Sequence, residues 1–303
     1  MKKMFLYIVA TIIGFFASTL PVKAETIKDI RQLERPEFHG NLYGKIKEYY
    51  ETNHRDIDKN IFIEKEQLDE LQMYLENKYK IRITYDNLIS NYALNNLYEI
   101  SKDDTYECMR SWVPLKIENL DRIYYQIYNI FLAAEFLPDW IFEEYYNKVG
   151  ILEIALYDEV NNFYSRQLLG LFSHEGREQF FLYGNNYSIK NGIIHVNARR
   201  ANYKTIIHEM MHMTLTLLDC YENNRFSMFA DNYLNANPEG FKYGEMNGFF
   251  LEYFASFYGM NNFQEDVATL SEVVLESCLT GNRMPEGLMA KAKILVDYLC
   301  DDK

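Results

Sequence analysis

The chain has 303 residues and a formal net charge of -13. This acidic balance argues against nucleic acid and anionic lipid surfaces as partners, because both favour basic patches. The length suffices for one sizeable hydrophobic core or a core with a small accessory lobe, and no internal repeat or Pro/Gly/Ser-rich linker divides it.

The first 24 residues have the pattern of a secretory signal. Lys2 and Lys3 precede the apolar run MFLYIVATIIGFFASTL, and the segment ends in the small-residue pattern Val22-Lys23-Ala24. We therefore predict a signal peptide over residues 1–24 and an exported chain, periplasmic or secreted. An uncleaved membrane anchor is the alternative, because the run approaches the length of a spanning helix. No second long apolar run follows, so we expect no stable membrane insertion after cleavage.

Four cysteines are spread through the chain, at Cys108, Cys220, Cys278 and Cys300. An even number in an exported chain allows one or two disulfides, with a pairing that the sequence leaves open. Their wide spacing fits neither a metal knuckle nor a redox C-x-x-C motif. We expect a structural role for them, as bridges or as buried thiols.

The first half of the chain is predicted to be mainly helical. Periodic leucines predict a helix over residues 64–78, and alternating apolar residues predict a strand over 79–85. A second amphipathic pattern predicts a helix over 117–136, which Pro138 ends. We expect a helical lead-in over 25–65 and one folded domain over 66–303.

From Gly150 onward the pattern changes to strands and then to helices. ILEIALY, QFFLY, YSIK and IIHVN are predicted strands, and Asn191-Gly192 between the last two predicts a two-residue hairpin turn. Helices are predicted for the stretch around residues 205–218 and then over 247–258, 265–279 and 285–299. The order predicts an α+β fold, with a small mixed sheet before the first of these helices and a cleft between sheet and helices.

The stretch TIIHEMMHMTLTLL, residues 205–218, contains an H-E-x-x-H motif. His208 and His212 are four residues apart, so one helix face can present both imidazoles to a single ion. Glu209 lies beside the first histidine and can reach a water at the open fourth position of a zinc ion, Zn²⁺. Zinc lowers the pKa of that water toward about 7, and the carboxylate takes its proton during attack on a carbonyl. The motif also arises by chance, so alone it does not establish a metal site.

Two other histidines are weaker candidates. HEGRE, residues 174–178, begins with the same two letters but lacks the second histidine, and it is predicted to be a solvated loop. His195 lies inside IIHVN and is predicted to be a sheet histidine rather than a ligand.

A catalytic zinc site takes three protein ligands, so a third is required. No H-x-x-G-x-x-H continuation follows the motif, which favours a downstream glutamate. Glu252 in LEYFASF and Glu265 in QEDVATLSE both have an alanine three residues later, which would allow close packing on the metal helix. Spacing does not separate the two.

ANPEGFKYG, followed by FASFYGMNNFQEDVATLSEVVLE, resembles the signature of the exported zinc-binding metallopeptidases of the gluzincin class. In that family a tyrosine, a short loop and an E-D-F-A helix follow the HExxH motif. The catalytic domain of anthrax lethal factor and the Pro-Pro endopeptidases are similar more distantly. The resemblance is specific at HEMMH and over residues 258–268, and it implies a zincin-like metallopeptidase fold.

The resemblance also assigns residues. Glu265 to Ala268 take the place of E-D-F-A, and Tyr258 takes the place of the tyrosine, seven residues before Glu265. Glu252 has Glu245 at that offset, so the resemblance favours Glu265 as the third ligand. It further implies that Tyr258 donates its hydroxyl to the oxyanion of the transition state.

One position departs from the family pattern. Where the family often has a carboxylate four residues after the ligand, this chain has Thr269. A carboxylate there would orient a metal-bound histidine, and its loss commonly costs tenfold or more in affinity or activity. Asp266 and Glu272 are the available substitutes, and the sequence does not choose between them.

We therefore expect an exported zinc metallopeptidase that hydrolyses a peptide or protein substrate, with Glu209 as general base. The substrate is expected to lie extended along an edge strand, for which IIHVN is the candidate. Three alternatives stay open: a non-catalytic, zinc-containing exported binding protein on a peptidase scaffold, a helical interaction protein with HEMMH by accident, and an amidase acting on cell-wall peptides.

Overall fold

The computed structural model describes residues 65–91, 93–94, 111–161, 170–175, 190–245, 247–280 and 284–300. The predicted signal peptide, the lead-in up to residue 64, the strand QFFLY and Cys108 lie outside these ranges. All structural statements below refer to the described residues.

The described chain begins with a helix, builds a sheet and ends in helices, which confirms the α+β class. In chain order the elements are α1 (Lys65–Tyr79), β1 (Ile81–Thr84), β2 (Ser111–Pro114), α2 (Leu120–Phe136), α3 (Asp139–Lys148), β3 (Leu152–Asn161), β4 (Gly170–Glu175), β5 (Lys190–Asn197), α4 (Tyr203–Tyr221), α5 (Asn223–Asn235), α6 (Phe263–Thr280) and α7 (Glu286–Cys300). Short 3-10 turns lie at Asp86–Leu88, Gly248–Tyr253 and Tyr258–Met260.

The five strands form one mixed sheet in the order β1-β3-β5-β4, and β2 pairs with the far end of β3. β1, β3 and β5 run parallel, whereas β2 and β4 are antiparallel to their neighbours. Ile83, Ile154 and Ile194 are register partners across the three parallel strands, and all are buried. This row of β-branched side chains forms the centre of the sheet.

β5 lies inside the sheet, so the prediction that IIHVN is an edge strand is wrong. Its residues pair with β3 on one side and with β4 on the other. The main-chain groups of β5 are therefore used within the sheet and are not open to a substrate. Among the described strands, β4 takes the edge position on this side of the sheet.

Asn191 and Gly192 lie within β5, and the predicted hairpin turn at this dipeptide is wrong. The backbone angle φ of Asn191 is +50°. Opposite this residue, between Ser173 and Glu175, the register of the β4–β5 pair shifts. Asparagine tolerates this left-handed conformation better than most residues, so the dipeptide provides a β-bulge in place of a turn. A Cβ on Gly192 would collide with the hydroxyl of Tyr145, which explains the glycine.

Three further predictions need correction. His174 and Glu175, predicted to begin a solvated loop, end strand β4. The predicted helix over 247–258 is instead two 3-10 turns joined by bends, in which the rings of Phe250 and Phe254 both contact the ring of Phe241. The predictions also missed helices α3 and α5, whose many polar and aromatic residues weaken the apolar periodicity.

Helix α4, which contains the H-E-x-x-H motif, lies at the centre of the molecule. It contacts helices α2 and α6 and strands β4 and β5, and most of its residues are buried. It begins after Asn202, whose side-chain oxygen accepts hydrogen bonds from the N–H groups of Lys204 and Thr205. The sheet therefore leads directly into the motif helix, as the sequence predicts.

The short connection from β5 to α4 is held by a buried side chain of α2. The Gln126 amide donates to the carbonyl oxygens of Ala198 and Ala201, at 3.1 and 2.8 Å. Gln126 is fully buried, so these hydrogen bonds form away from water. They fix the point at which the chain leaves the sheet and enters the motif helix.

No described helix combines the length and the apolar character that crossing a membrane requires. Among the cysteines, Cys220 carries a free and partly buried thiol. Burial, together with the charge of Asp219, raises the pKa of this thiol to about 11. Cys220 is thus neither bridged nor fully buried, and its structural role stays a prediction.

Replacement of Gln126 by alanine is predicted to destabilise the fold, because it leaves two buried carbonyl oxygens without donors. We expect Gln126→Ala to lower the free energy of unfolding by about 1–3 kcal/mol in urea titrations. Asn232→Ala, at an exposed position of α5, is the control and should change it by less than about 0.5 kcal/mol. Equal stabilities for the two variants would contradict the role given to Gln126.

Candidate active site

His208 and His212 lie on the face of α4 that packs against α6. Their Nε2 atoms are 3.1 Å apart, and their rings meet edge to face with centroids 4.8 Å apart. The i, i+4 spacing on a regular helix accounts for this arrangement. Both imidazoles therefore direct a nitrogen to one point in space, as the sequence predicts.

Glu265 reaches the same point from the first turn of α6. Its Oε2 lies 3.1 Å from His208 Nε2 and 3.5 Å from His212 Nε2. The helix begins here because the side-chain oxygen of Asn262 accepts the N–H of Glu265 at 2.9 Å. Ala268, one turn later, is fully buried, and its small side chain permits the close approach of α6 to α4.

The three side chains fit a metal ion. A tetrahedral zinc site with bonds of about 2.0–2.1 Å keeps its ligand atoms about 3.3–3.4 Å apart, close to the three separations found here. Glu265 Oε2 is also buried and has no hydrogen-bond partner of proper geometry, despite the two nearby nitrogens. A buried carboxylate oxygen left in this way is costly unless another group, such as a cation, binds it.

The charges around the site favour a cation. Burial alone would lower the pKa of His208, but the neighbouring carboxylates of Glu265 and Glu272 outweigh it and raise the pKa to about 10. Burial would conversely raise the pKa of Glu265, but the two imidazoles lower it to about 2. Positive charge is thus stabilised at the centre of the group, by a proton or by a metal ion.

Glu272 takes the orienting position that the sequence left open between Asp266 and Glu272. Its Oε1 accepts a hydrogen bond from His208 Nδ1 at 2.7 Å. A proton held on Nδ1 leaves the lone pair of Nε2 free, which is the tautomer that a metal ligand needs. Thr269 instead donates to the carbonyl oxygen of Glu265 at 2.7 Å, within its own helix.

Tyr258 lies at the open side of the group. Its hydroxyl donates to Glu265 Oε1 at 3.1 Å, and its ring stacks on His208 with centroids 6.0 Å apart. The side chain is 52% exposed, so a molecule in solvent can reach it. The structure therefore brings Tyr258 to the candidate ligands, on the oxygen of Glu265 that does not face the histidines.

Glu209 is buried on the side of α4 that faces strand β4. Its Oε2 accepts a hydrogen bond from the main-chain N–H of Phe172 at 2.8 Å. Burial raises the pKa of Glu209, while the two histidines and the Phe172 N–H act in the opposite direction. A carboxylate with a raised pKa is a better proton acceptor near neutral pH.

Glu252, the competing candidate for third ligand, lies elsewhere. It is exposed in the 3-10 turn Gly248–Tyr253, and its carbonyl oxygen packs on Gly287 at the start of α7. The group of potential ligands found among the described residues contains His208, His212 and Glu265 and does not include Glu252. His195 is buried in β5 beside the Tyr157 hydroxyl, as predicted for a sheet histidine.

Lys291 is a supporting residue that the sequence predictions missed. It is fully buried in α7, donates to Asp266 Oδ2 at 2.7 Å, and lies 3.6 Å from the ring centre of Phe254. The Tyr243 hydroxyl donates to the same oxygen at 2.7 Å. The sequence signal for Lys291 was its position on the apolar stripe of a predicted helix, between Leu288 and Leu295. A lysine buried on such a stripe needs a buried partner for its charge.

Comparison of the chain with family models, with curated proteins and with solved structures finds no match to any of them. The resemblance to the gluzincin metallopeptidases therefore depends on the motif residues alone.

Exchange of the candidate third ligand is predicted to remove the metal. Zinc content, measured by mass spectrometry on the purified protein, should be about one ion per chain in the wild type and close to zero in Glu265→Ala. Glu252→Ala is the matched control, since it removes an exposed carboxylate from the preceding segment and should keep the ion. Loss of zinc in Glu252→Ala but not in Glu265→Ala would refute the assignment.

Glu272 is predicted to affect metal affinity without binding the ion itself. Glu272→Ala should weaken zinc binding by about 10–100-fold in competition with a chelator, because His208 loses its orienting partner. Glu276→Ala is the control, because it removes a carboxylate one turn later on α6 that pairs with Lys204 at the surface. The zinc affinity of this variant should equal that of the wild type. Equal affinities for all three proteins would exclude the orienting role.

Proposed function

We propose that the chain is an exported zinc metallopeptidase of the gluzincin class, with a zincin-like fold. The observation that carries this proposal is the convergence of His208, His212 and Glu265 at separations of 3.1–3.5 Å. Glu209 and Tyr258, the two further groups that peptide hydrolysis needs, adjoin the same three residues. The α+β order of the elements, with the sheet leading into the motif helix, agrees with this class.

In this proposal His208, His212 and Glu265 hold Zn²⁺. The ion, when bound, activates a water for attack and polarises the carbonyl of the scissile bond. Glu209 accepts the proton of the attacking water and then delivers it to the leaving amine. Its burial against β4 supports this role, because burial raises the pKa of the carboxyl.

Tyr258 supplies the hydrogen-bond donor for the oxyanion. Its hydroxyl already points into the site, and its half-exposed ring can turn away from Glu265 when a substrate enters. A hydrogen-bond donor held at the oxyanion in the substrate complex is worth about a hundredfold or more in kcat. Glu265 loses one hydrogen bond in this movement but keeps the oxygen that faces the histidines.

The substrate in this proposal is an extended peptide or protein segment that lies along β4, since β5 is paired on both sides. Of the strands in the described ranges, β4 is the outer one on the side of the sheet that contacts α4, and its main chain contacts Glu209 directly. Export is proposed from the signal pattern of residues 1–24.

Glu209→Gln is predicted to abolish hydrolysis without loss of the metal. A glutamine keeps the size of the side chain but cannot accept the proton, so kcat/KM on cleaved members of a peptide library should fall by about 10²–10⁴-fold. Zinc content should stay at about one ion per chain.

The outcomes of this experiment separate the alternative functions. Bound zinc with no cleavage by the wild type would favour the exported binding protein, and cleavage of cell-wall peptides but not of protein-derived peptides would favour the amidase. Wild type without zinc after reconstitution would refute the peptidase proposal.

A further inference from the structure

Strand β4 contacts the proposed general base through its main chain. We propose that β4 is a positioning device for Glu209, in which the Phe172 N–H holds the carboxylate and Gly170 leaves the space for its stem. The inference rests on the proposed function and extends it to residues that the H-E-x-x-H motif does not include.

The hydrogen bond from Phe172 is available because β4 is an edge strand among the described strands. A strand with one neighbour turns every second N–H away from the ladder. The N–H of Phe172 is donated to Glu209 Oε2 at 2.8 Å, across the gap between the sheet and α4. An edge N–H, normally left to water or to another chain, is thereby used inside the molecule, so a substrate along β4 would pair with main-chain groups other than this N–H.

Gly170 permits the close approach of β4 to α4. A Cβ at this position would lie 2.9 Å from Glu209 Cγ, 2.9 Å from Thr205 Cγ2 and 3.1 Å from Glu209 Oε1. Contacts below 3 Å do not occur between unstrained carbon atoms, so any larger residue would displace the stem of Glu209 or the strand. The glycine is required by this approach.

Positioning matters for this carboxylate because its side chain has three rotatable bonds and is buried. A buried carboxylate needs a hydrogen-bond donor, and the Phe172 N–H is a donor whose place is set by the sheet. Misplacement of a reacting group by about 1 Å can cost on the order of a hundredfold in rate. Gly170 and Phe172 touch Glu209 and not the reacting atoms, so both are positioning residues.

The hydrogen bond can be deleted by proline, which an outward-facing position on an edge strand tolerates. Phe172→Pro and Phe172→Ala both lack the ring, and only the first also lacks the N–H. We expect kcat of Phe172→Pro to be at least about tenfold below that of Phe172→Ala, with similar KM and zinc content. Equal kcat values would overturn the inference. Gly170→Ala, which keeps every N–H, provides a second route to the same loss of kcat if the proline variant does not fold.

Amide hydrogen exchange tests the contact without any measurement of activity. In the full chain, Glu209→Ala should accelerate exchange of the Phe172 N–H by about tenfold or more, whereas Glu209→Gln keeps an acceptor oxygen and should retain protection. Amides of β5 should be unchanged in both variants. Unaltered exchange at Phe172 in Glu209→Ala would overturn the inference.

The kinetic and the exchange measurements give different outcomes for a failure of the positioning role and a failure of the proposed function. Wild type that neither binds zinc nor cleaves peptides refutes the function, and the exchange result then still decides whether β4 holds Glu209. Active, zinc-containing wild type with equal kcat for the two Phe172 variants supports the function and refutes the positioning role.

Discussion

The close packing of α6 on α4 is the constraint from which the geometry of the site follows. Two imidazoles on α4 and a carboxylate on α6 meet at 3.1–3.5 Å. Burial of each of these polar groups costs free energy, because the group loses its hydrogen bonds to water. Such a contact persists only if neighbouring groups hold each member. Glu272 accepts a hydrogen bond from His208, and the Tyr258 hydroxyl donates to the outer oxygen of Glu265. The side chain of Asn262 accepts the N–H of Glu265, which fixes the start of α6 so that Glu265 faces the histidines.

The other side of α6 is held by a buried ion pair with α7. Asp266 points away from Glu265 into a fully buried pair with Lys291, whose ammonium group lies against the ring of Phe254. A buried ion pair contributes little net stability, but removal of one partner leaves an isolated charge, so the pair specifies one arrangement strongly. The same pair joins α6, α7 and the segment before Tyr258. Of two consecutive residues of α6, Glu265 therefore faces the site and Asp266 faces the core.

The sequence predicts the parts of the site that depend on local periodicity. The i, i+4 histidines, the helix that begins near Glu265 and the sheet before α4 all follow from spacing and from helix or strand patterns. The choice of Glu272 over Asp266 could not be predicted, because both lie within two turns of Glu265 and only the packing angle of α6 decides which one reaches His208. The edge position of β4 and the bulge at Asn191 depend on pairing between distant strands, which local patterns do not contain. The segment over 247–258 has helical spacing, but Phe250 and Phe254 pack on the ring of Phe241 and the chain forms 3-10 turns instead of a helix.

A metal ion and an ordinary buried ion pair place different demands on the geometry of the site. With a proton as the only positive charge, His208 could satisfy Glu265 and Glu272, and both carboxylates do raise its pKa. Such a pair would not explain why the inner oxygen of Glu265, 3.1 Å from His208 Nε2, has no hydrogen bond of proper geometry. Each ring nitrogen of an imidazolium offers one proton along one direction, whereas a metal ion accepts lone pairs from three directions at once. Two nitrogens and one oxygen arranged about a common point therefore match the bonding of an ion such as Zn²⁺, which prefers mixed nitrogen and oxygen ligands in a tetrahedral arrangement.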